Sequence, residues 1–157
     1  MIHFRMTAFA LLCALAAPVA AAACTQPGNA NALRADVAQR VNAERRKAGL
    51  GALSNSGALQ KAAQSLACDN AAQGQWSHTG RNGSTLQGRL NAAGYRFRTA
   101  TENVGRFAGP DAAMKWWMGS APHRANILSG AVRDIGVGVA TGADGRVYWV
   151  TVSGAPR

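Results

Sequence analysis

The strongest constraint on the fold is a change of hydrophobic period along the chain. Before about residue 130, apolar residues recur at helical spacing, as in Leu33, Val37 and Val41. Beyond that point apolar residues alternate, and residues 147–152 are rich in β-branched and aromatic side chains. Helices followed by strands predict an α+β domain rather than an alternating βαβ fold.

Four helices are predicted from apolar periodicity and from glycine and proline boundaries. They cover approximately residues 32–48, 57–73, 86–93 and 110–128. Asn31 is expected to cap the first helix, and Pro122 is expected to restart the last one after a break. Alanine lines one face of the second helix, which predicts close packing against another element. Residues 95–108 show no helical period and are interpreted as an irregular segment.

A β-hairpin is predicted at the carboxyl end of the chain. Asp144-Gly145 is a strong turn signal between two β-rich stretches. Alternation then places one set of side chains on each face of the second strand, namely Val147, Trp149 and Thr151 against Tyr148, Val150 and Val152. Because both faces are largely apolar, we expect helices to cover the sheet on each side.

The first 23 residues have the pattern of a secretory signal peptide. A short cationic start ends at Arg5, an apolar stretch runs from Met6 to Ala17, and small residues at 20–23 suit cleavage. No apolar run reaches the ~20 residues that a membrane-spanning helix needs. We therefore expect a secreted or periplasmic protein in which residues 24–157 form a single domain.

Two cysteines remain after the expected cleavage, Cys24 and Cys68. An even pair in a small exported domain favours a disulfide. One alternative is lipidation of Cys24 at a lipoprotein cleavage site, although residues 21–23 lack the usual large aliphatic residue. A second alternative, Cys68 as a catalytic thiol, has no supporting motif nearby.

The chain is strongly basic, with 17 Lys and Arg against 7 Asp and Glu and a net charge of +10. Such a charge predicts attraction to anionic envelope polymers, lipid headgroups or polynucleotides. Only Arg45-Arg46-Lys47 forms a run, and no nucleic-acid motif with interleaved aromatic residues accompanies it. Nucleic acid is therefore the least favoured of the three partners.

Three ionisable residues are candidates for a functional site: His78, Glu102 and His123. They are placed in irregular segments or at a helix start, where functional groups concentrate. Two imidazoles and a carboxylate could bind a divalent metal or transfer protons, but their spacing does not prove that they meet. Ser120 is interpreted as a helix cap because no acid completes a triad with His123. Trp116 and Trp117 are interpreted as packing residues of the core and its rim.

An ordered series of motifs resembles the CAP superfamily, the cysteine-rich secretory, antigen 5 and pathogenesis-related 1 proteins, in its bacterial SCP-like form. Each motif is weak alone, but six in the family's order over residues 35–154 are specific. The matching segments are Val41–Arg45 with Gly51–Leu53, Leu59–Ala72 leading to Trp76–His78, Gly94-Tyr95, Thr101–Val104, Trp117–Leu128, and Ile135–Gly138 with Tyr148–Val150.

The resemblance implies a three-layer α-β-α sandwich with a small antiparallel sheet between helices. It also implies a cleft that in many members gathers two histidines and two glutamates and can bind a divalent metal such as zinc. His78 and Glu102 match two of these positions, and His123 fits the bacterial counterpart of a third. The fourth, a glutamate after the tryptophan pair, is absent, because residues 118–120 read Met-Gly-Ser.

Two functions follow as hypotheses. The first is a secreted, monomeric, non-catalytic module that binds a lipid, an envelope component or a protein partner. The alternative is a secreted hydrolase, metal-assisted or using His78 and Glu102 as acid and base, that acts on peptide or envelope material. Both expect His78, Glu102 and His123 to converge, with the carboxylate raising the pKa of the histidines.

Overall fold

The computed structural model describes residues 24–157, so the predicted signal peptide lies outside the described part of the chain. Its elements are α1 (Ala30–Lys47), β1 (Ser54–Asn55), α2 (Gly57–Gln73), a 3₁₀ turn (Arg81–Gly83), α3 (Leu86–Ala92), β2 (Phe97–Arg106), α4 (Pro110–Gly119), α5 (Ala121–Ile127), β3 (Asp134–Thr141) and β4 (Val147–Pro156). Within residues 24–157, every helix falls short of the length or apolarity that crossing a membrane requires.

The four strands form one mixed sheet in the order β1-β3-β4-β2. β1 is parallel to β3, whereas β4 is antiparallel to both β3 and β2. β3 and β4 are the predicted hairpin, with Gly145 at its turn in a left-handed conformation (φ +74°). β2 is an edge strand, so one of its sides faces the loops and helices that build the site.

The predicted three-layer sandwich is confirmed. On one face, α1, α4 and α5 pack around Trp149, which is 1% exposed and donates its Nε1–H to the carbonyl of Phe107 at 2.9 Å. On the other face, α2 and α3 pack around Tyr148, Val150 and Val152. Successive residues of β4 therefore fill two separate cores, as the alternation predicted.

Several helix boundaries follow the predicted signals. Ser56 caps α2 by accepting a hydrogen bond from the backbone N–H of Leu59, and Gly74 ends α2 with φ +66°. The prediction for Asn31 is wrong, because α1 begins at Ala30 and Asn31 lies inside its first turn, where its side chain accepts from Arg34. The interrupted fourth helix is two helices, α4 and α5.

The interpretation of residues 95–108 as irregular is wrong, because Phe97–Arg106 is the strand β2. It pairs with β4 along its length, from Phe97 opposite Pro156 to Arg106 opposite Tyr148. Its burial does not alternate, because helices and loops cover its middle from both sides and from its open edge. This covering removes the period-2 signal on which strand prediction depends.

A disulfide joins Cys24 to Cys68, with Cα atoms 5.3 Å apart. It attaches the first described residue to α2 and confirms the predicted pairing. A Cys24 whose sulfur is bonded to Cys68 has no thiol left for lipidation. The bridge therefore excludes the lipoprotein alternative in this form of the protein.

The basic run at residues 45–47 is not one surface patch. Arg45 is 2% exposed and donates hydrogen bonds to the carbonyls of Gly51, Ile127 and Ser129. It therefore joins three backbone segments from inside the protein. Lys47 lies on the surface and pairs with Glu44 at 2.7 Å, as expected for a solvated ion pair.

Candidate functional site

Glu102 is the central residue of the candidate site, and β2 positions it. Its side chain shares a face of β2 with Val104, on the side that α2 and α3 cover. The residue is 6% exposed, although a carboxylate is among the least readily buried groups. A buried carboxylate needs charged or hydrogen-bonding partners, and the structure supplies two.

Both carboxylate oxygens of Glu102 are engaged. Arg89 on α3 donates from Nη2 to Oε2 at 2.8 Å, and the two side chains are each 3% exposed. Nδ1 of His78 lies 2.9 Å from Oε1. The carboxylate is therefore held between a buried guanidinium and an imidazole whose side chain is 60% exposed.

Arg89 also fixes the loop between α2 and α3. Its guanidinium donates to the carbonyl of Ser84 at 2.7 Å and to the carbonyl of His78 at 3.2 Å. The loop is held at a second point by Asn70, which exchanges two hydrogen bonds with the backbone of Ser77. His78 is thus presented over the edge of β2 by a loop fixed at several positions.

An open cleft of about 480 Å³ lies beside this pair. Its walls come from the α2–α3 loop, the start of α3, β2 and α5. The lining residues are His78, Thr79, Thr85, Leu86, Ala100, Thr101, Glu102 and Asn126. Threonine hydroxyls and an amide next to the imidazole supply hydrogen-bonding groups within a lining that is otherwise largely apolar.

His123 lies on α5, on the other side of β2 from His78. Its Nδ1 is 2.7 Å from the hydroxyl of Ser120, and its ring packs against Trp116 with centroids 4.6 Å apart. Ser120 occupies the N-cap position of α5, but its side chain makes no capping bond and contacts His123 instead. The interpretation of Ser120 as a cap is therefore correct in position and wrong in the role of its hydroxyl.

Burial lowers the pKa of the His123 imidazole below its usual value, and the nearby charge of His78 lowers that pKa further. The expectation that a carboxylate raises it is wrong for His123, because Glu102 is committed to Arg89 and His78. A neutral imidazole at pH 7 can accept a proton or a hydrogen bond.

Two asparagines connect α5 to β2. Asn103 donates to the carbonyl of His123 at 3.1 Å, and Asn126 donates to the carbonyl of Glu102 at 3.1 Å and to Oδ1 of Asn103 at 2.9 Å. The bond from Asn126 satisfies the backbone carbonyl of Glu102, and the three bonds together hold α5 beside the cleft. Sequence reasoning did not single out either asparagine.

The structure brings His78 and Glu102 into direct contact. His123 is close enough to His78 for the charge of one to affect the other, but no hydrogen bond among the described residues joins it to His78 or Glu102. Residues 24–157 contain no group of three His, Cys, Asp or Glu side chains arranged to hold a metal ion.

The donor set does not fit a resident zinc or other divalent metal held by His78, Glu102 and His123. Both oxygens of Glu102 already have partners, and one partner is a guanidinium whose positive charge opposes a second cation. Glu102 is better described as the acceptor that orients His78.

Arg89 is the site residue that sequence reasoning missed, since no motif and no run of charge includes it. A signal was present: Arg89 lies three residues after Leu86 and directly before Leu90, on the apolar face of α3. A charged residue on an apolar helix face must find a buried partner. Glu102 is the partner that the fold provides.

Comparison with known proteins gives the family. A sequence model of the cysteine-rich secretory protein family, CAP, matches residues 38–153. The uncharacterized protein YkwD of Bacillus subtilis is 31% identical over 113 residues, which make up 71% of this chain and 44% of the relative. The chain therefore spans less than half the length of this curated relative.

Solved structures show the same fold. An outer surface protein from Borrelia burgdorferi gives a TM-score of 0.77 at 17% identity, covering 85% of this chain and 99% of that chain. An extracellular protein containing a SCP domain from Bacillus anthracis gives 0.72 at 23% identity, covering 80% and 41%. With the family model matching most of its length, this chain belongs to the cysteine-rich secretory protein (CAP) family, in its bacterial SCP-like form.

Proposed function

We propose that the chain is an exported binding module that captures an anionic component of the bacterial envelope without altering it chemically. The disulfide and the extracellular SCP-domain protein with the same fold support export. The choice between binding and catalysis depends on the state of Glu102.

One observation carries this choice: both oxygens of Glu102 are occupied within the protein. A general base must be reached by the substrate or by water, and the Glu102 side chain is 3% exposed with an internal partner on each oxygen. What remains open to a ligand is the exposed imidazole edge of His78 and the hydroxyls and amide of the cleft.

The charge distribution supports an anionic ligand. Residues 24–157 contain all 7 acidic residues and all basic residues except Arg5. Six of the acidic residues pair with a basic side chain, namely Asp36, Glu44, Asp69, Glu102, Asp111 and Asp144. The seventh, Asp134, accepts a hydrogen bond from Tyr95. Most of the protein's negative charge is therefore neutralised locally, and an excess of cations is left for a partner.

Cosedimentation with isolated bacterial envelopes tests this proposal. The exported protein should sediment with the envelopes in about 0.05 M NaCl and remain in solution in about 0.5 M NaCl, because salt screens charge attraction. Uncharged dextran beads serve as the control surface. Salt-insensitive binding, or equal binding to dextran, would contradict an anionic partner, and release of soluble fragments from the envelopes would contradict a purely binding role.

Hydrolysis of peptide or envelope material is the second candidate, because a neutral His123 lies 2.7 Å from the Ser120 hydroxyl. A nucleophile and base within hydrogen-bond reach are the start of a catalytic arrangement. No carboxylate among the described residues hydrogen-bonds to His123 to orient it. If fragments are released by the wild type and not by the Ser120→Ala variant, the hydrolase replaces the binding module.

A further inference from the structure

β2 carries a second functional group, Arg106, in addition to Glu102. Arg106 ends the strand and shares a face with Glu102, since both alternate with residues that point to the opposite core. Arg106 comes four positions after Glu102, which is roughly 13 Å along the strand. The α2–α3 loop follows the same line, because it places His78 at Glu102 and Trp76 at Arg106.

The Trp76–Arg106 pair lies at the surface, with the Arg106 side chain half-buried. The guanidinium carbon of Arg106 lies 4.6 Å from the centroid of the Trp76 ring, which is 50% exposed. No hydrogen bond or ion pair from another described residue engages this guanidinium. The cation–π contact therefore orients Arg106 while leaving its N–H donors available to a ligand.

A pocket of about 510 Å³ adjoins Arg106 at the end of the sheet. Arg146, from the turn between β3 and β4, forms its other charged wall. The carboxylate nearest to both arginines is Asp144, whose Oδ2 lies 3.7 Å from Nη1 of Arg146. That separation is too long for a hydrogen bond. Two guanidinium groups against one carboxylate leave the pocket with a net positive charge.

Phe107 forms an apolar wall of the same pocket, and its position depends on Gly105. A Cβ atom on Gly105 would lie 2.1 Å from the Phe107 ring, so only glycine allows the ring to fold back over the strand. The ring also packs against Trp116 and Trp117, with centroids 5.5 and 5.8 Å away. Packing on Gly105 and on the two indoles therefore sets the position of this aromatic wall.

We propose that Trp76, Arg106 and Arg146 form a subsite for an acidic sugar unit of an envelope glycan. The C–H face of the sugar ring would pack on Trp76. Its carboxylate or phosphate would accept hydrogen bonds from the two guanidinium groups, whose planar geometry suits either anion. This inference rests on the proposed function and deepens it by naming the ligand class and where it binds.

A sugar fits this surface better than single-stranded nucleic acid. Sites for single strands stack successive bases on successive aromatic residues along a basic groove. Two indoles are exposed among the described residues, but Arg106 covers part of the Trp76 ring, and Trp116 packs against Phe107 and His123. His78, Thr79 and Thr85 follow on the same side of β2, and their polar groups suit the hydroxyls of neighbouring sugar units.

Binding of polygalacturonate, a polymer of carboxylate-bearing sugars, tests the subsite by isothermal calorimetry on the exported protein. Arg106→Gln should raise the Kd by ~10-fold, since a charge-assisted hydrogen bond is lost. Arg98→Gln is the matched control: the same charge is removed at the exposed other end of β2, so the Kd should change by less than about 2-fold.

Separate probes test the role of the sugar ring. Trp76→Ala should weaken polygalacturonate binding by ~10-fold, through lost stacking, and change the binding of polyphosphate, an anion without rings, by less than about 2-fold. Methyl-esterified polygalacturonate, which lacks the charge, should bind much more weakly than the acid form. Equal losses for Arg106→Gln and Arg98→Gln, equal losses of both polymers in Trp76→Ala, or tighter binding of oligo(dT) than of polygalacturonate would each overturn the subsite.

Failure of the subsite and failure of the proposed function have different signatures. If the wild type, Arg106→Gln and Trp76→Ala sediment equally with envelopes, the subsite is wrong and the binding function stands. If the wild type sediments with no envelope preparation, the proposed function itself fails.

Discussion

Replacing Arg89 by methionine tests whether one buried ion pair holds the cleft together. Methionine has an unbranched apolar side chain like the aliphatic part of arginine, but it lacks the guanidinium. Four hydrogen bonds are lost: to Glu102 at 2.8 Å, to the carbonyl and hydroxyl of Ser84 at 2.7 and 3.4 Å, and to the carbonyl of His78 at 3.2 Å. Glu102 is left with a buried charge and His78 as its remaining side-chain partner.

The expected cost is large because both side chains of the pair are 3% exposed. Removing one partner of a buried ion pair costs ~3–5 kcal/mol of unfolding free energy, since the other charge stays buried and uncompensated. Adding Glu102→Gln removes that charge. The loss of unfolding free energy in the double variant should therefore be smaller than the sum of the losses in the two single variants, by ~2 kcal/mol.

Urea unfolding at pH 7, followed by tryptophan fluorescence, measures both quantities. Arg81→Met is the matched control, because Arg81 pairs with Asp69 at 3.0 Å but its side chain is 49% exposed. That change should cost less than ~1 kcal/mol. The reasoning is refuted if Arg89→Met costs no more than Arg81→Met, or if Arg89→Met and Glu102→Gln are additive.

Three further predictions concern stability and titration. Trp149→Ala should lower the unfolding free energy by ~3–5 kcal/mol in the same urea assay, because the ring is 1% exposed in a core; a cost below ~1 kcal/mol would contradict that burial. Replacing both Cys24 and Cys68 by serine should cost ~2–4 kcal/mol, and adding a reductant should destabilise the wild type but leave the double variant unchanged. In an NMR titration the pKa of His123 should lie below the 6.5 of a free imidazole and should rise in His78→Ala, whereas a pKa above 6.5 would contradict its burial. Because folding lowers this pKa, the contribution of His123 to the unfolding free energy is present above pH 6.5. It is lost as the pH falls through the folded-state pKa.

Local signals in the sequence were sufficient for much of the fold. The Asp144-Gly145 turn, the serine cap of α2 and the Cys24–Cys68 pair each depend on residues whose meaning is nearly independent of context. β2 was missed because its middle is covered on both faces as well as at its open edge, so its burial does not alternate. β1 has two residues, too few for any period.

The candidate site was predicted in part. Scarcity of histidine and glutamate, together with the family resemblance, pointed to His78, Glu102 and His123, and the first two are in contact. The residues that decide what the site can do were not predictable from spacing. Arg89 engages Glu102 only because α3 packs over β2, and Arg106 meets Trp76 only because the α2–α3 loop follows that strand. Such contacts depend on how elements pack, which local periodicity does not encode.

The packing of α2 on β3 connects the predicted alanine face to the position of the site. A Cβ atom on Gly138 would lie 2.3 Å from the carbonyl oxygen of Ala63, and one on Gly136 would lie 2.1 Å from the backbone nitrogen of Gln60. Backbone atoms of a helix cannot yield by an ångström, so Gly138→Ala must push α2 off the sheet. The expected loss of unfolding free energy is ~1–3 kcal/mol or more.

This displacement should also reach the cleft, because α2 leads directly into the loop that carries His78. Gly138→Ala should therefore shift the NMR resonances of the His78 ring as well as lower stability. Gly57→Ala at the start of α2 is the control: a Cβ there meets nothing within 4 Å, and alanine in place of glycine should be neutral or stabilising by up to ~1 kcal/mol. If Gly138→Ala behaves like Gly57→Ala in both measurements, close contact between α2 and β3 does not position the site.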